Sequence, residues 1–327
     1  MRAVWYERPG PADEVLVVGE MSEPEPGAGE VLVRVAYSAC HPSDVKLRAG
    51  GRPGVEGIGF ERIIPHSDGS GTIEAVGEGV DPARIGEQVW LWNAQWQRPF
   101  GTCAELVALP AQQAVTLPEG VDLQQGACLG IPAVTAWACV LGDGPVEGET
   151  ILVTGGAGAV SAYAIQIAKR EGARVIATAS TPEKQAFAAD RGADTVIDYR
   201  EGRVARRVME LTKGEGVHRI VDLEFGANLD ATAEIVRENG LIVTYGSAAT
   251  REPVLPFYPL MFKRVTLRLE LVYLLPAPLR RRAEAWLDSN AAILRHDVHS
   301  VTPLPGSATA HRIVEAGDKR GVVLMKV

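Results

Sequence analysis

Short apolar or alternating runs, broken by glycine and proline, fill the first third of the chain. Val15–Val18, Glu30–Ala36, Gly71–Val76, Gln88–Trp92 and Ala104–Ala108 read as strands between turn signals. Helical periodicity is scarce there, which predicts a β-rich domain. The texture changes near residue 125. From Thr150 onward, apolar strands at Thr150–Thr154, Arg174–Ala179, Thr195–Asp198, Arg219–Leu223 and Leu241–Tyr245 alternate with helices. Those helices fall at Ala159–Arg170, Pro182–Arg191, Gly202–Thr212 and Leu229–Glu238. Such alternation predicts a parallel sheet covered on both faces. Gly172, Gly192, Gly214 and Gly240 fall where helix C-caps belong.

The pattern changes again after Gly246. Pro253, Pro256 and Pro259 mark a loop, Val265–Leu275 reads as a long strand, and Leu279–Ser289 as a helix. The final run, Gly321–Val327, reads as a strand that returns to the first domain. The expected division is 1–124 with 270–327, and 125–269. No internal repeat or low-complexity segment interrupts it.

A chain of 327 residues supports two cores, and 46% hydrophobic with 23% charged residues suits a soluble globular enzyme. The net charge of −8 disfavours nucleic acid as a partner. Arg280-Arg281-Arg282 is the only basic run and reads as a solvated helix face. Cys40, Cys103, Cys128 and Cys139 show no C-x-x-C spacing and no disulfide framework. No apolar run approaches a membrane span, and the first residues read as a strand rather than a signal peptide. A reducing, cytoplasmic setting is expected.

The sharpest motif is Thr150–Thr154 running into Gly155-Gly156-Ala157-Gly158-Ala159-Val160-Ser161 and then a small-residue helix. Strand, glycine turn and helix N-terminus together hold a diphosphate. The end of the next strand selects the cofactor. Arg174–Ala179 ends in Ser180-Thr181 with no acid, and Lys184 follows. An acid there would bind a free ribose hydroxyl and repel a 2′-phosphate. Its absence, with a hydroxyl and a lysine in its place, favours NADPH over NADH. In the blander reading Ser180 is an N-cap and Lys184 a surface lysine.

Gly126–Trp137, Gly148–Gly155 and Gly192–Arg200 resemble the medium-chain dehydrogenase/reductase superfamily, and within it the zinc-free, zeta-crystallin-like quinone oxidoreductases. Val35–Asp44 and Gly71–Val80 fit the same pattern. The resemblance implies a GroES-like β-rich catalytic domain, a Rossmann doubly wound cofactor domain, and an active site in the cleft between them. It implies NADPH-dependent hydride transfer to quinones or other conjugated carbonyls. Carried over by position, Ala157, Gly158, Ala159 and Val160 line the diphosphate. Ser180, Lys184 and Tyr199 surround the 2′-phosphate, and Gly246 and Ser247 lie along the cofactor. Leu271, Val272 and Tyr273 lie near the nicotinamide, and Thr135 sits where the family has a cofactor-side threonine.

The chain departs from the family at several positions. Ser161 replaces the third glycine, His41 an asparagine and Lys46 a tyrosine, and the loop Gly50–Ile64 is long. Three of these changes surround the substrate. His41, Lys46 and Tyr273 are the candidate catalytic residues, with Ser43 a further hydroxyl donor in the pocket. Trp92 and Trp96 are candidate aromatic walls for a planar acceptor, and Trp90 reads as core.

Zinc-dependent alcohol dehydrogenases share this fold and are the competing enzyme reading. Catalytic zinc needs three protein ligands. Those positions align with Cys40, Ser67 and Ile131, so one ligand of three is present, and the four-cysteine structural lobe is absent. Recruitment of His66 and Asp68 beside Cys40 is the remaining metal reading. A cofactor-binding protein with little turnover is the non-enzymatic alternative. The run Val265–Leu275, at which the family dimerises, predicts a homodimer through an edge strand.

Overall fold

The computed structural model describes residues 1–51 and 57–327. Two compact units emerge: Met1–Ile131 with Glu284–Val327, and Pro132–Ala283. The chain returns to the first unit at Glu284, so Leu271, Val272 and Tyr273 belong to the second.

The first unit is built on a seven-stranded sheet around the long strand Glu30–Cys40. Its apolar positions alternate, and Val31, Val33 and Val35 point into a core with Ile73, Val89, Leu91 and Val107. Glu30–Cys40 pairs antiparallel with Asp68–Val76, Leu106–Pro110 and Val322–Lys326. The register sets Ala39 opposite Asp68 and Cys40 opposite Val323. Ser38, Cys40 and Asp68 are thereby gathered at one end of the sheet. The helix Pro42–Arg48 follows directly, with proline at its first position, where a missing N–H costs nothing. In place of the expected strand at Val15–Val18, Ala12–Val15 is a helical turn and Val17–Glu20 the strand.

The second unit is a six-stranded, wholly parallel sheet. Across it the strands are Thr195–Asp198, Arg174–Ala179, Thr150–Val153, Val217–Asp222, Val236–Thr244 and Thr266–Leu269. In sequence order this is 3-2-1-4-5-6, the Rossmann arrangement, in which ligands bind beyond the strand C-termini where the order reverses.

Three expectations are corrected here. The helix placed at Leu229–Glu238 is Phe225–Ile235. Gly240 is no helix cap but lies within the strand Val236–Thr244. The long strand Val265–Leu275 is only Thr266–Leu269, followed by a 3₁₀ turn at Val272–Leu274. Its partner strand offers a last rung at Thr244, opposite Leu269. The N–H of Glu270 takes the Thr244 carbonyl at 2.8 Å, and pairing ends. No described helix is long and apolar enough to cross a membrane.

Candidate active site

The glycine turn links Thr150–Val153 to the helix Ala159–Arg170. Gly155 has φ +60°, and a Cβ there would stand 1.9 Å from Leu223 Cδ2. Gly156 brings the turn onto the sheet, since a Cβ would meet Ala188 at 2.9 Å and Ala177 at 3.2 Å. Gly158 is the N-cap, so the N–H groups of Ala159 and Val160 open the helix without intrahelical acceptors. Those donors and the positive helix end suit an anion. Ser161, at the third glycine position, is fully buried and donates to the Thr154 carbonyl at 2.8 Å. The substitution turns a packing glycine into a strut that braces the turn. Thr154 in turn donates to Asp222 at 2.7 Å and accepts the Leu223 N–H at 3.0 Å.

At the end of Arg174–Ala179 the helix N-cap is Thr181, whose hydroxyl accepts the Lys184 N–H at 3.3 Å. Ser180 therefore precedes the cap, and Lys184 is half-buried on the first turn. Tyr199 lines a cavity of about 560 Å³ with Gly155, Thr178, Leu223 and Asn228. Arg200, which the sequence reading passed over, lies beside Tyr199 and pairs with Asp198 at 2.7 Å. The Arg200 backbone N–H, and after it the guanidinium, hold the Asp198 carboxyl below the usual range.

Thr135 is buried in the helix Val134–Leu141, and its hydroxyl has no hydrogen-bond partner among the described residues. Gly246 lets two strand-end loops meet, since a Cβ would stand 2.5 Å from the Leu223 carbonyl. The Ser247 hydroxyl accepts the Gly226 N–H at 2.9 Å and donates to Thr250, so it ties the loop together. Leu271 is exposed, Val272 buried and Tyr273 half-buried on the 3₁₀ turn. Arg280 anchors that turn on the Val272 carbonyl at 2.7 Å. The buried Thr135 hydroxyl and the glycine cradle fit a dinucleotide.

In the first unit His41 caps the helix Pro42–Arg48 and is 3% exposed. Asp44 accepts its backbone N–H at 2.7 Å. Its Nε2 lies 2.8 Å from Oδ2 of Asp68, which is fully buried. Asp68 also accepts the Ile131 N–H. Lys46 is exposed at the end of the same helix, and Ser43 is half-buried in its first turn. Trp90 is core at 1% exposure, while Trp92 and Trp96 are half-buried. Asp68 thus joins His41 rather than a metal cluster. No local pattern of residues signals this pairing, which depends on strand register.

Residues 27–119 match the model of the alcohol dehydrogenase GroES-like domain, and 159–287 that of the zinc-binding dehydrogenase. A quinone oxidoreductase of Pseudomonas aeruginosa is 34% identical over 240 residues, 72% of this chain and 70% of that protein. The chain belongs to the quinone oxidoreductases of the medium-chain dehydrogenase/reductase superfamily. This quinone oxidoreductase family member also matches two solved structures at TM-score 0.87 and 28% identity, over 100% of each chain. One is described as an NAD-dependent alcohol dehydrogenase, the other as a mycobacterial protein complexed with NADPH.

The second family description raises zinc. The residues at the three catalytic ligand positions do not fit it. Cys40 is fully buried, and burial pushes its thiol well up. Ile131 has no side-chain atom that could ligate a metal, and its N–H donates to Asp68. Ser67 is buried, with its carbonyl held by the Ala94 N–H at 2.9 Å.

Proposed function

We propose that the protein reduces quinones, and related α,β-unsaturated carbonyls, with NADPH and without a metal ion. The observation that carries this reading is the ribose end of the second unit. A strand closing in Ser180-Thr181 without an acid, and Lys184 on the next turn, suit a 2′-phosphate. The relative named quinone oxidoreductase and the neighbour complexed with NADPH support it.

Bound NADPH supplies a hydride. Quinone, NADPH and one proton would give hydroquinone and NADP⁺, two electrons in all. The acceptor delocalises the charge it gains, so a Lewis acid is dispensable. Ala157, Gly158, Ala159 and Val160 hold the diphosphate; Ser180, Lys184 and Tyr199 hold the 2′-phosphate. Gly246 and Ser247 lie along the cofactor with Thr135 close to it, and Leu271, Val272 and Tyr273 orient the nicotinamide. In this reading His41, whose Nε2 lies 2.8 Å from Asp68, polarises the acceptor oxygen or passes it a proton, with Lys46 and Tyr273 the other donors. Ser43, Trp92 and Trp96 shape the pocket. Four buried free cysteines suit a reducing compartment, which favours the cytoplasm. The exposed edge strand Thr266–Leu269 supports a homodimer.

The test follows oxidation of NADPH and NADH by chelator-treated protein with 1,4-benzoquinone, 9,10-phenanthrenequinone and a simple enone. NADPH-selective oxidation is expected. NADH preference with an alcohol substrate, lost on chelation, would favour the alcohol dehydrogenase reading that the other neighbour suggests. Tight NADPH binding without turnover would favour a binding protein.

A further inference from the structure

Cys40, His66 and His311 bring three potential ligand atoms within 4.8 Å of one another, all buried in the first unit. The hydrogen bonds around them argue against a metal. Arg48 Nε can only donate, and it does so to His311 Nδ1 at 3.2 Å. His311 therefore carries its ring hydrogen on Nε2. That atom lies 3.0 Å from Nε2 of His66, which must accept. His66 then holds its hydrogen on Nδ1 and donates to Ser38 Oγ at 2.7 Å. Ser38 donates to Thr102 Oγ1 at 2.8 Å, and Thr102 to the Asp68 carbonyl at 2.6 Å. One polarity, set by Arg48, runs through the whole chain. Zinc would need lone pairs at both Nε2 atoms. The hydrogen of His311 would then move to Nδ1 and face the Arg48 N–H, donor against donor.

The chain is no proton path. It begins at a guanidinium that does not release its proton and ends at a peptide carbonyl. What it grips is the segment before and at Asp68. His66 sits at φ +77°, a left-handed conformation that few side chains adopt. The carbonyls of Ile64, Pro65 and His66 accept from Gly101, Cys103 and Thr102 at 2.8, 3.2 and 3.0 Å. Ala94 takes that of Ser67, and the Thr102 hydroxyl takes that of Asp68. Every carbonyl from Ile64 to Asp68 is held, so the Asp68 carboxylate emerges at one position, against His41.

We propose that Arg48, His311, His66, Ser38 and Thr102 form a one-way hydrogen-bond relay that positions Asp68 against His41, with a hydrogen where a metal would otherwise sit. They are positioning residues, and the proposal rests on the reading that His41 and Asp68 serve quinone reduction.

Nitrogen-15 spectra of the wild-type protein test the relay directly. His311 protonated on Nε2, His66 protonated on Nδ1, and no response of either ring to added zinc are expected. The opposite tautomer in either ring, or zinc uptake that shifts both, overturns it. Variants then test the positioning role. His311→Gln keeps both polarities, its amide oxygen accepting from Arg48 and its amide N–H donating to His66. His311→Leu keeps neither. The leucine variant is expected to lose about tenfold in kcat at unchanged KM for NADPH. Its His41 Nε2–H should also exchange faster with solvent, and His311→Gln should restore both. Wild-type kcat and His41 exchange in the leucine variant would overturn the positioning role. Protein without quinone activity whose His41 exchange still responds would sink the functional reading and leave the relay standing.

Discussion

A Cβ atom on Gly130 would stand 2.3 Å from the carboxyl carbon of Asp68. The bare glycine makes the space in which that carboxylate meets the Ile131 N–H and His41 Nε2. Gly130→Ala should therefore displace Asp68, lower stability by about 1–3 kcal/mol and reduce kcat. Thermal unfolding and steady-state kinetics check this. An alanine variant with wild-type Tm and kcat would show that the carboxylate has room to move.

Lys184 should discriminate between the two nicotinamide cofactors. Lys184→Ala is expected to raise KM for NADPH about tenfold or more, through loss of a charge-assisted phosphate contact, and to leave KM for NADH nearly unchanged. Equal changes for both cofactors would remove Lys184 from the 2′-phosphate site.

The buried histidine pair should make the protein sensitive to acid. Burial pushes both rings below their ordinary range, His311 to about 3, with the Arg48 charge adding to the effect there. For His66 the neighbouring His311 and His41 add to burial. Arg48 is the cation that faces the pair. Unfolded, both rings bind a proton near pH ~6.5. Below that pH the unfolded chain holds more protons than the folded one. Stability is thus complete above pH ~6.5 and falls as the pH drops, for His311 by roughly 1.4 kcal/mol per unit down toward its folded value of about 3, with His66 contributing in the same direction. Urea unfolding across this range should show a shallower slope for His311→Gln than for wild type. Equal slopes would mean that His311 is charged in the folded protein.

Leu269 is 73% exposed on the edge strand, and Phe262, on the short helix before it, is 77% exposed. A free edge beside large apolar side chains is an aggregation hazard unless another strand covers it. Light scattering at micromolar concentration should give twice the chain mass for wild type and the single mass for Leu269→Lys. A monomeric wild type would refute the pairing.

The cofactor end was legible because its signals are local. Glycine turn, strand and helix occupy one stretch near Thr150–Arg170, and strands buried on both faces read as short continuous apolar runs. Legibility failed where long-range pairing decides. Val265–Leu275 has a strand's composition throughout, but its neighbour has no rung to offer beyond Thr244. Gly240 looks like a cap because it follows a helical pattern, yet it lies inside a strand, in the irregularity between the Val236 and Leu241 rungs on Val217–Asp222. Asp68 showed itself only as a possible metal ligand, because its meeting with His41 needs the register of two strands. His311 lies 245 residues from His66, and no periodicity connects them.

The strand Val322–Lys326 lies between Glu30–Cys40 and Val298–Pro303. Synthesis therefore begins one sheet, completes another, and only then supplies what closes the first. The parallel sheet has all its strands while Glu30–Cys40 still waits with an open edge, and His66 waits for the ring that orients it. A chain released at Asn290 would hold the entire dinucleotide turn but lack His311, the ring that links Arg48 to His66 in the relay. Its unpaired edge would be free to recruit strands from other nascent chains, so premature termination here should yield aggregates that retain one folded, nucleotide-competent half.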